Sequence, residues 1–241
     1  MAQINQDLCV QCETCIPYCT VGAIHARNGT VEIDPTECTE CYVCIRNHVC
    51  PVDAIEHTPL DTPMKQFQHV ISDPTETHGG TGVPGRGTEE AKTNDVTGRY
   101  KRGEVGIGID MGRPGLGCYL RDVQTVAMAV TQAGVKLEGA DTTPLASLMT
   151  DLNTGKIKDE YLNTRVLSVI IEGKCPMENL PNVLRALREV EGKIDTVFSL
   201  GLVSRVDADG KSPVPDILEK AGLPRPIRGK VNVGLGRPLV D

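Results

Sequence analysis

The sequence predicts an α+β chain in which a small cysteine-rich module precedes an α/β sandwich domain. Eight of the ten cysteines fall within residues 9–50, and the stretch around them contains one unit of about 30 residues twice. From about residue 105 onward, patterns typical of strands and helices alternate regularly. We therefore divide the chain into a module at 1–58, a connecting segment at 59–104 and an α/β domain at 105–241.

The cysteines of the first module form two matching runs. These are Cys9-x2-Cys12-x2-Cys15-x3-Cys19 and Cys38-x2-Cys41-x2-Cys44-x5-Cys50, the second of which is followed by Pro51. Three thiolates at two-residue spacing can wrap one four-iron, four-sulfur cubane corner by corner. The spacing therefore predicts two [4Fe-4S] clusters, and electron transfer is the leading function.

Paired cysteines also occur in zinc sites and in disulfide frameworks. Four thiolates fill the tetrahedral shell of a structural zinc ion, and a third cysteine two residues after each pair is a spacing that zinc sites rarely need. Disulfide frameworks are typical of short secreted chains. This chain has 241 residues, and its first cysteine run begins so early that we expect no targeting peptide. The spacing favours clusters over both alternatives.

Residues 1–58 resemble the bacterial 2[4Fe-4S] ferredoxin family. Beyond the cysteines, each half continues into a similar apolar turn, Val21-Gly22-Ala23-Ile24 in the first and Val52-Asp53-Ala54-Ile55 in the second. In this family the fourth cysteine of each run ligates the other cluster. The resemblance thus implies one cluster on Cys9, Cys12, Cys15 and Cys50, and a second on Cys38, Cys41, Cys44 and Cys19. It also implies low reduction potentials and an anaerobic or oxygen-protected setting.

Two features depart from the family pattern. Thr20 stands where the family usually has proline, and five residues instead of three separate Cys44 from Cys50. Neither change removes a ligand. The longer loop places Arg46 and His48 near a cluster, where charge and hydrogen bonds to sulfur shift the reduction potential. Because arginine and histidine are mostly exposed residues, we expect a solvated surface loop here.

Charge and apolar content exclude several classes of function. The net charge of -7 and the pI near 5.3 argue against binding to nucleic acid, which requires a basic face. An acidic electron carrier is expected to dock on a basic patch of a protein redox partner. No apolar stretch approaches the length of a transmembrane helix. We therefore expect a cytoplasmic protein without membrane insertion.

The connecting segment at 59–104 is rich in glycine after His78 and shows little apolar periodicity there. This composition is typical of a flexible linker. A plain tether, however, would not need the basic residues of the segment, which are Arg86, Arg99, Lys101 and Arg102. They favour an ordered arm that contacts a partner, because long loops of compact proteins are usually functional.

The first half of the α/β domain predicts one β-α-β unit. A strand at 105–109 leads through the glycine-rich turn 111–117 into a helix at 118–133, whose apolar residues recur at helical spacing and which Gly134 ends in a left-handed cap. Pro144 then marks the start of a short helix that Gly155 would close.

The second half predicts a second β-α-β unit. It consists of a strand at 165–171, a helix at 179–191 and a strand at 194–206, followed by a turn at 207–210. Together the two units suggest a βαββαβ sandwich with helices on one face of a mixed sheet. This topology serves many activities and does not select one.

Two features of the α/β domain invite a chemical interpretation. The turn at 111–117 precedes a helix and could hold an anion, although a tight connection is the commoner use of such a turn and the dinucleotide fingerprint is not met. Cys175 follows Lys174, which could depress a thiol pKa, but buried and inert thiols are commoner, for Cys118 as well. All five histidines lie in the first third of the chain, so catalysis by this domain alone is not expected.

The sequence thus predicts an iron-sulfur electron-transfer protein, the ferredoxin-like subunit or dedicated electron donor of a larger anaerobic oxidoreductase. Other subunits of that complex would be its partners, and it would not be a stand-alone catalyst. Two alternatives stay open. One is a redox- or metabolite-responsive regulatory protein, and the other is a reductase that holds a flavin on its glycine-rich segment.

Overall fold

A computed structural model describes residues 1–84, 99–113 and 115–224. The N-terminal module consists of four short strands and one helical turn: β1 (Ala2–Ile4), β2 (Ile24–Arg27), β3 (Thr30–Ile33), α1 (Val43–Arg46) and β4 (Ile55–His57). Strand β1 pairs antiparallel with β4, and β2 with β3. The first cysteine run, which includes a 3-10 turn at Ile16–Tyr18, lies between β1 and β2. The second lies between β3 and β4, so each strand pair frames both runs.

The two halves of the module repeat the same backbone. Cys9 N donates to Asn5 O over 3.0 Å, and Cys38 N donates in the same way to Asp34 O over 2.9 Å. Between the cysteines of each run, two residues adopt a left-handed backbone, namely Gln11 (φ 57°) and Glu13 (φ 61°) in the first and Glu40 (φ 54°) and Tyr42 (φ 53°) in the second. Such angles are uncommon outside glycine. Their recurrence reflects the tight turns that successive two-residue spacings require.

A helix, α2 (Pro63–Ser72), lies in the connecting segment, where the sequence predicted no regular element. The Thr62 side chain caps it by accepting from Lys65 N over 3.2 Å, and Pro63 occupies its first position. Ile71 joins the core of the α/β domain, whereas Gln68 Nε2 donates to Arg165 O over 2.6 Å. Helix α2 therefore packs against the α/β domain. The glycine-rich part of the segment, with Arg86, falls in 85–98, outside the described residues.

The α/β domain contains eight strands and three helices within 99–113 and 115–224. They are β5 (Glu104–Met111), β6 (Cys118–Tyr119), α3 (Leu120–Gln132), β7 (Lys136–Leu137), β8 (Met149–Asp151), β9 (Lys156–Ile157), β10 (Arg165–Val166), β11 (Val169–Pro176), α4 (Leu180–Glu191), β12 (Phe198–Ser204) and α5 (Val214–Lys220). Short 3-10 turns lie at Pro144–Leu148, Asp159–Tyr161 and Met177–Asn179.

The main sheet has the strand order β12-β5-β11-β7, and each neighbouring pair is antiparallel. Strands β5 and β7, which α3 connects, run in the same direction but are separated by β11. Strands β11 and β12, which α4 connects, are likewise separated by β5. The expected mixed sheet is therefore wrong, because each helical crossover skips one strand and leaves only antiparallel neighbours.

One face of this sheet carries the core. Alternate residues of β5 are buried there, and the apolar stripes of both long helices pack into the same cluster. The buried helical residues are those that the sequence periodicity predicts: Leu120, Val123, Val126, Ala127, Val130, Leu180, Val183, Leu184, Leu187 and Val190. Each fully buried leucine or valine contributes about 1.5–3 kcal/mol. The helices are thus held to the sheet by a continuous aliphatic layer.

Several boundaries differ from the prediction. The short helix at Pro144 ends at Leu148, and Gly155, at φ 73°, turns the β8–β9 hairpin instead of closing a helix. The strand expected at 165–171 is split into β10 and β11, which join different sheets. Gly134, at φ 98°, follows α3 as predicted. Among the described residues, no helix is long and apolar enough to cross a membrane.

Candidate iron-sulfur centres

The structure gathers the eight cysteines of the module around two cavities. Cys9, Cys12, Cys15 and Cys50 line the first, which encloses about 310 Å³ of empty space, and Cys19, Cys38, Cys41 and Cys44 line the second, which encloses about 350 Å³. The fourth cysteine of each run thus lies with the first three cysteines of the other run. These are the same two sets of four that the sequence analysis predicts as ligands.

Backbone and side-chain donors point at three of the sulfur atoms. Ala23 N donates to Cys19 Sγ over 3.1 Å, and Ala54 N donates to Cys50 Sγ over 3.2 Å. These two hydrogen bonds occupy equivalent places in the repeat. The Thr14 hydroxyl donates to Cys12 Sγ over 3.3 Å. Hydrogen bonds to ligating sulfurs withdraw charge from them and are a means of tuning the potential of a bound cluster.

The shape of each set suits a cluster better than a single ion. Zinc-sulfur bonds are about 2.3 Å long, so the thiolates of a zinc site converge on one point. Within the described part of the chain, no three potential ligands from Cys, His, Asp and Glu converge closely enough to hold one ion. The thiols instead surround a space. Most of its other lining is aliphatic, including Ile4, Val31 and Ile55 in the first cavity, and such a lining restricts access of solvent.

The thiols of the second cavity are the more strongly desolvated. Burial raises the pKa of Cys38 and of Cys44 to about 12, aided by Glu40 for Cys38 and by Cys41 for Cys44. In the first cavity, by contrast, hydrogen bonding from Thr14 lowers the pKa of the exposed Cys12 thiol. Metal ligation requires thiolates, so incoming iron must displace protons at the second cavity, and ligation is coupled to folding there.

Helix α2 holds the loop that carries the second run. Lys65 Nζ donates to Pro35 O over 2.8 Å and to Cys38 O over 3.3 Å. The same ammonium lies 3.2 Å from Glu40 Oε1, without the geometry of a hydrogen bond, and the other carboxylate oxygen accepts from Ala2 N over 3.0 Å. Glu40 is only 1% exposed. Its charge therefore depends on Lys65 for compensation.

Arg46 does not lie in a solvated loop, and that expectation is wrong for this residue. Its guanidinium pairs with Asp73, just past the end of α2, and donates to Cys41 O over 2.6 Å. Burial opposes ionisation of Asp73, but hydrogen bonds from Thr75 and the charge of Arg46 hold its pKa below the usual value. The sequence could not reveal this pair because the two residues meet only through the placement of α2. His48 is exposed, as expected.

The α/β domain also contacts the loop of the second run. The Glu37 carboxylate accepts from the Tyr119 hydroxyl and from the Arg165 guanidinium. Beside them, Gly117, at φ 70°, lies so close to Val21 that a Cβ atom at this glycine would meet Val21 Cγ1 at 3.1 Å. No motif of the sequence singles out these residues, which are far apart along the chain.

The thiols of the α/β domain are buried. Burial raises the pKa of Cys118 to about 12 and that of Cys175 to about 11. An activated Cys175 is therefore wrong. Lys174 directs its ammonium to Arg99 O over 2.8 Å and to Glu104 Oε2 over 3.0 Å, where it cannot favour a thiolate.

The turn before α3 provides a strand-to-helix connection. Gly112 N donates to Val197 O over 2.9 Å, and Gly117 N donates back to Gly112 O over 3.2 Å. At the start of the helix, Leu120 N donates to Thr164 O over 3.0 Å. These amides are thus occupied by backbone carbonyls. Pro114 of this turn lies outside the described residues.

The comparisons with known proteins concern the N-terminal module. The family described as a 4Fe-4S binding domain matches residues 2–25. A pyruvate synthase subunit, PorD, of Methanocaldococcus jannaschii is 40% identical over 53 residues, which are 22% of this chain and 59% of the relative. A ferredoxin of Rickettsia felis is 34% identical over 58 residues, covering 23% of this chain and 51% of the relative. Ferredoxin-1 of Caulobacter vibrioides is 38% identical over 58 residues, covering 23% and 50%.

The chain thus spans between half and three-fifths of the length of these relatives, and no solved structure matches it. The N-terminal segment is a 4Fe-4S domain of the ferredoxin type, and the rest of the chain is unassigned. The chain is accordingly a ferredoxin-like iron-sulfur electron carrier.

Proposed function

We propose that the chain carries two [4Fe-4S] clusters and works as the electron-transfer subunit, or dedicated electron donor, of a larger cytoplasmic oxidoreductase in an anaerobic or oxygen-protected setting. Cys9, Cys12, Cys15 and Cys50 would hold one cluster, and Cys19, Cys38, Cys41 and Cys44 the other. The observation that carries this proposal is the grouping of the eight thiols around two cavities. A bound [4Fe-4S] cluster supplies one-electron chemistry at low potential.

The residues around the thiols create the conditions for that chemistry. The amides of Ala23 and Ala54 donate to Cys19 and Cys50, and aliphatic side chains restrict solvent access. Lys65 and Arg46 place positive charge beside the carbonyls of two cysteines in the second run. Positive charge close to a cluster favours its reduced form.

Membership of a larger complex is supported by one relative in particular. The Methanocaldococcus jannaschii protein is named as a subunit of pyruvate synthase, and its similarity covers the module that bears the thiols. In this chain the module, proposed to end near residue 58, is joined to a domain from about residue 105. We further propose that this domain is a βαββαβ sandwich, which is supported by its two crossover helices and by its sheet order β12-β5-β11-β7.

Cluster content and the exchanged ligation are tested together by anaerobic purification and determination of iron and sulfide. The wild-type protein should contain about eight iron atoms, four for each cluster. In a Cys38→Ala background, adding Cys19→Ala should leave the remaining four iron atoms in place, whereas adding Cys50→Ala should release them. The opposite order of effects would refute the ligand assignment, and a wild-type protein with about one iron per cavity would refute the clusters.

The role in a complex requires the native protein. Purification from its own cells without oxygen should yield a stoichiometric partner chain that carries the substrate site, and reduction of that partner should depend on the clusters. A protein that purifies alone and exchanges electrons with no other chain of its cell would contradict the subunit role.

A further inference from the structure

The two halves of the N-terminal module share a backbone but differ in what covers them. By alignment of the cysteine runs, Leu8, Val10 and Val52 are the repeat counterparts of Glu37, Thr39 and Val21. Leu8 is 49% exposed, Val10 61% and Val52 39%. Their counterparts Thr39 and Val21 are 1% and 7% exposed. We call the surface formed by Leu8, Val10 and Val52 the bare face.

Each counterpart of the bare face lies in an internal contact. Glu37 binds Tyr119 and Arg165 of the α/β domain. Val21 packs against Gly117 of the same domain. Thr39 lies between Cys38 and Glu40, whose carbonyl oxygens accept hydrogen bonds from α2. The chain therefore covers one of two equivalent surfaces with its own residues, and the other surface keeps large apolar side chains in solvent.

The bare face lies over the first set of thiols. Val10 and Val52 both line the first cavity, together with Cys9, Cys12 and Cys50. A protein seated on this face would therefore be as close to the first thiol set as any surface contact allows. Exposed apolar side chains that border a redox-active cavity are typical of an interaction site.

The charge around the bare face is of one sign. Residues 1–24 and 47–58 contain no lysine or arginine and four acidic residues, Asp7, Glu13, Asp53 and Glu56. Asp7 precedes Leu8, Asp53 follows Val52, and Glu13 lines the first cavity; the three are exposed. A second copy of the chain would bring like charges together across this face. A surface with an apolar centre and a rim of lysine and arginine fits it instead.

We propose that the bare face is the docking surface for a redox partner protein whose own contact surface is apolar at its centre and basic at its rim. Electrons would then be exchanged with that partner at the first thiol set, while the second set faces the rest of the chain. This inference rests on the proposed electron-transfer function and identifies the face that it uses.

The test measures binding without electron transfer. Oxidised protein is titrated with ferric cytochrome c, a basic haem protein, by calorimetry at several salt concentrations. A rim variant, Asp7→Asn with Glu13→Gln and Asp53→Asn, should weaken binding by about ten-fold at low salt and reduce the salt dependence. A control variant with the same change in charge, Glu160→Gln with Glu178→Gln and Glu191→Gln, should change it less than about two-fold.

A second pair of variants tests the apolar centre. Val10→Gln with Val52→Gln should weaken binding, whereas Leu116→Gln, an exposed leucine of the α/β domain, should leave it unchanged. Equal effects of rim and control variants, or a silent rim variant, would overturn the docking face. Iron content and reduction by dithionite are measured on each variant. Loss of clusters in the wild-type protein would overturn the electron-transfer function, whereas intact clusters with a silent rim variant would overturn the docking face alone.

Discussion

The ion pair between Lys65 and Glu40 gives a prediction about how α2 stabilises the second thiol set. In Lys65→Met, the Glu40 carboxylate stays 1% exposed and loses its positive partner, which lies 3.2 Å away. Removing one partner of a buried pair costs about 3–5 kcal/mol. The Lys65 side chain is 16% exposed, and Glu40 keeps the hydrogen bond from Ala2 N. We therefore expect about 3 kcal/mol, the lower end of that range.

The assay is the rate of iron release to a ferrous chelator under anaerobic conditions in moderate denaturant. Each 1.4 kcal/mol corresponds to a factor of ten, so release should accelerate by up to about a hundred-fold. The double variant Lys65→Met with Glu40→Gln removes the uncompensated charge and should recover most of the loss, because the amide oxygen can still accept from Ala2 N. A single variant that releases iron as slowly as the wild-type protein would refute the reasoning, as would a double variant no slower than the single one.

Three further predictions concern the α/β domain. Gly155→Ala should destabilise the protein by about 1–3 kcal/mol, seen as a lower unfolding midpoint, because the residue is at φ 73° and its Cβ would meet the Ala127 backbone at 2.8 Å. Leu184→Ala, in the buried stripe of α4, should cost about 2–5 kcal/mol, whereas Leu116→Ala at an exposed site should cost less than about 0.5 kcal/mol. Burial raises the pKa of Cys118 from 9.0 to about 12, so its contribution to stability is complete below pH 9.0 and is lost as the pH rises toward 12. Between pH 9 and 11 the wild-type protein should therefore lose stability more steeply than Cys118→Ala, and parallel curves would contradict this.

Local patterns in the sequence predicted much of the fold. The stripes at Leu120–Val130 and Leu180–Val190 repeat at the helical period, and both helices form with these residues buried. Helix α2 was missed because it lies in a segment that glycine-rich composition dominates. The mixed sheet was wrong because element order alone does not say which strands become neighbours.

The candidate site shows the same division. The spacing of the cysteines predicted the two sets of four thiols, since a cubane needs thiolates at corners that short turns can reach. It did not predict that Arg46 pairs with Asp73 or that Glu40 is buried under Lys65. Those contacts join residues that are distant in sequence, and no local signal marks them.

The sequence by itself determined the chemistry of the module, because ligand type and spacing are properties of a short stretch of chain. It also determined the repeat that makes the two halves alike in backbone. Only the tertiary structure decided that they differ: α2 and the α/β domain pack on the half that contains Glu37 and Thr39 and leave Leu8 and Val10 in solvent. The physical reason is that burial depends on which surfaces of a folded chain meet, and equivalent sequences can lie in unlike surroundings.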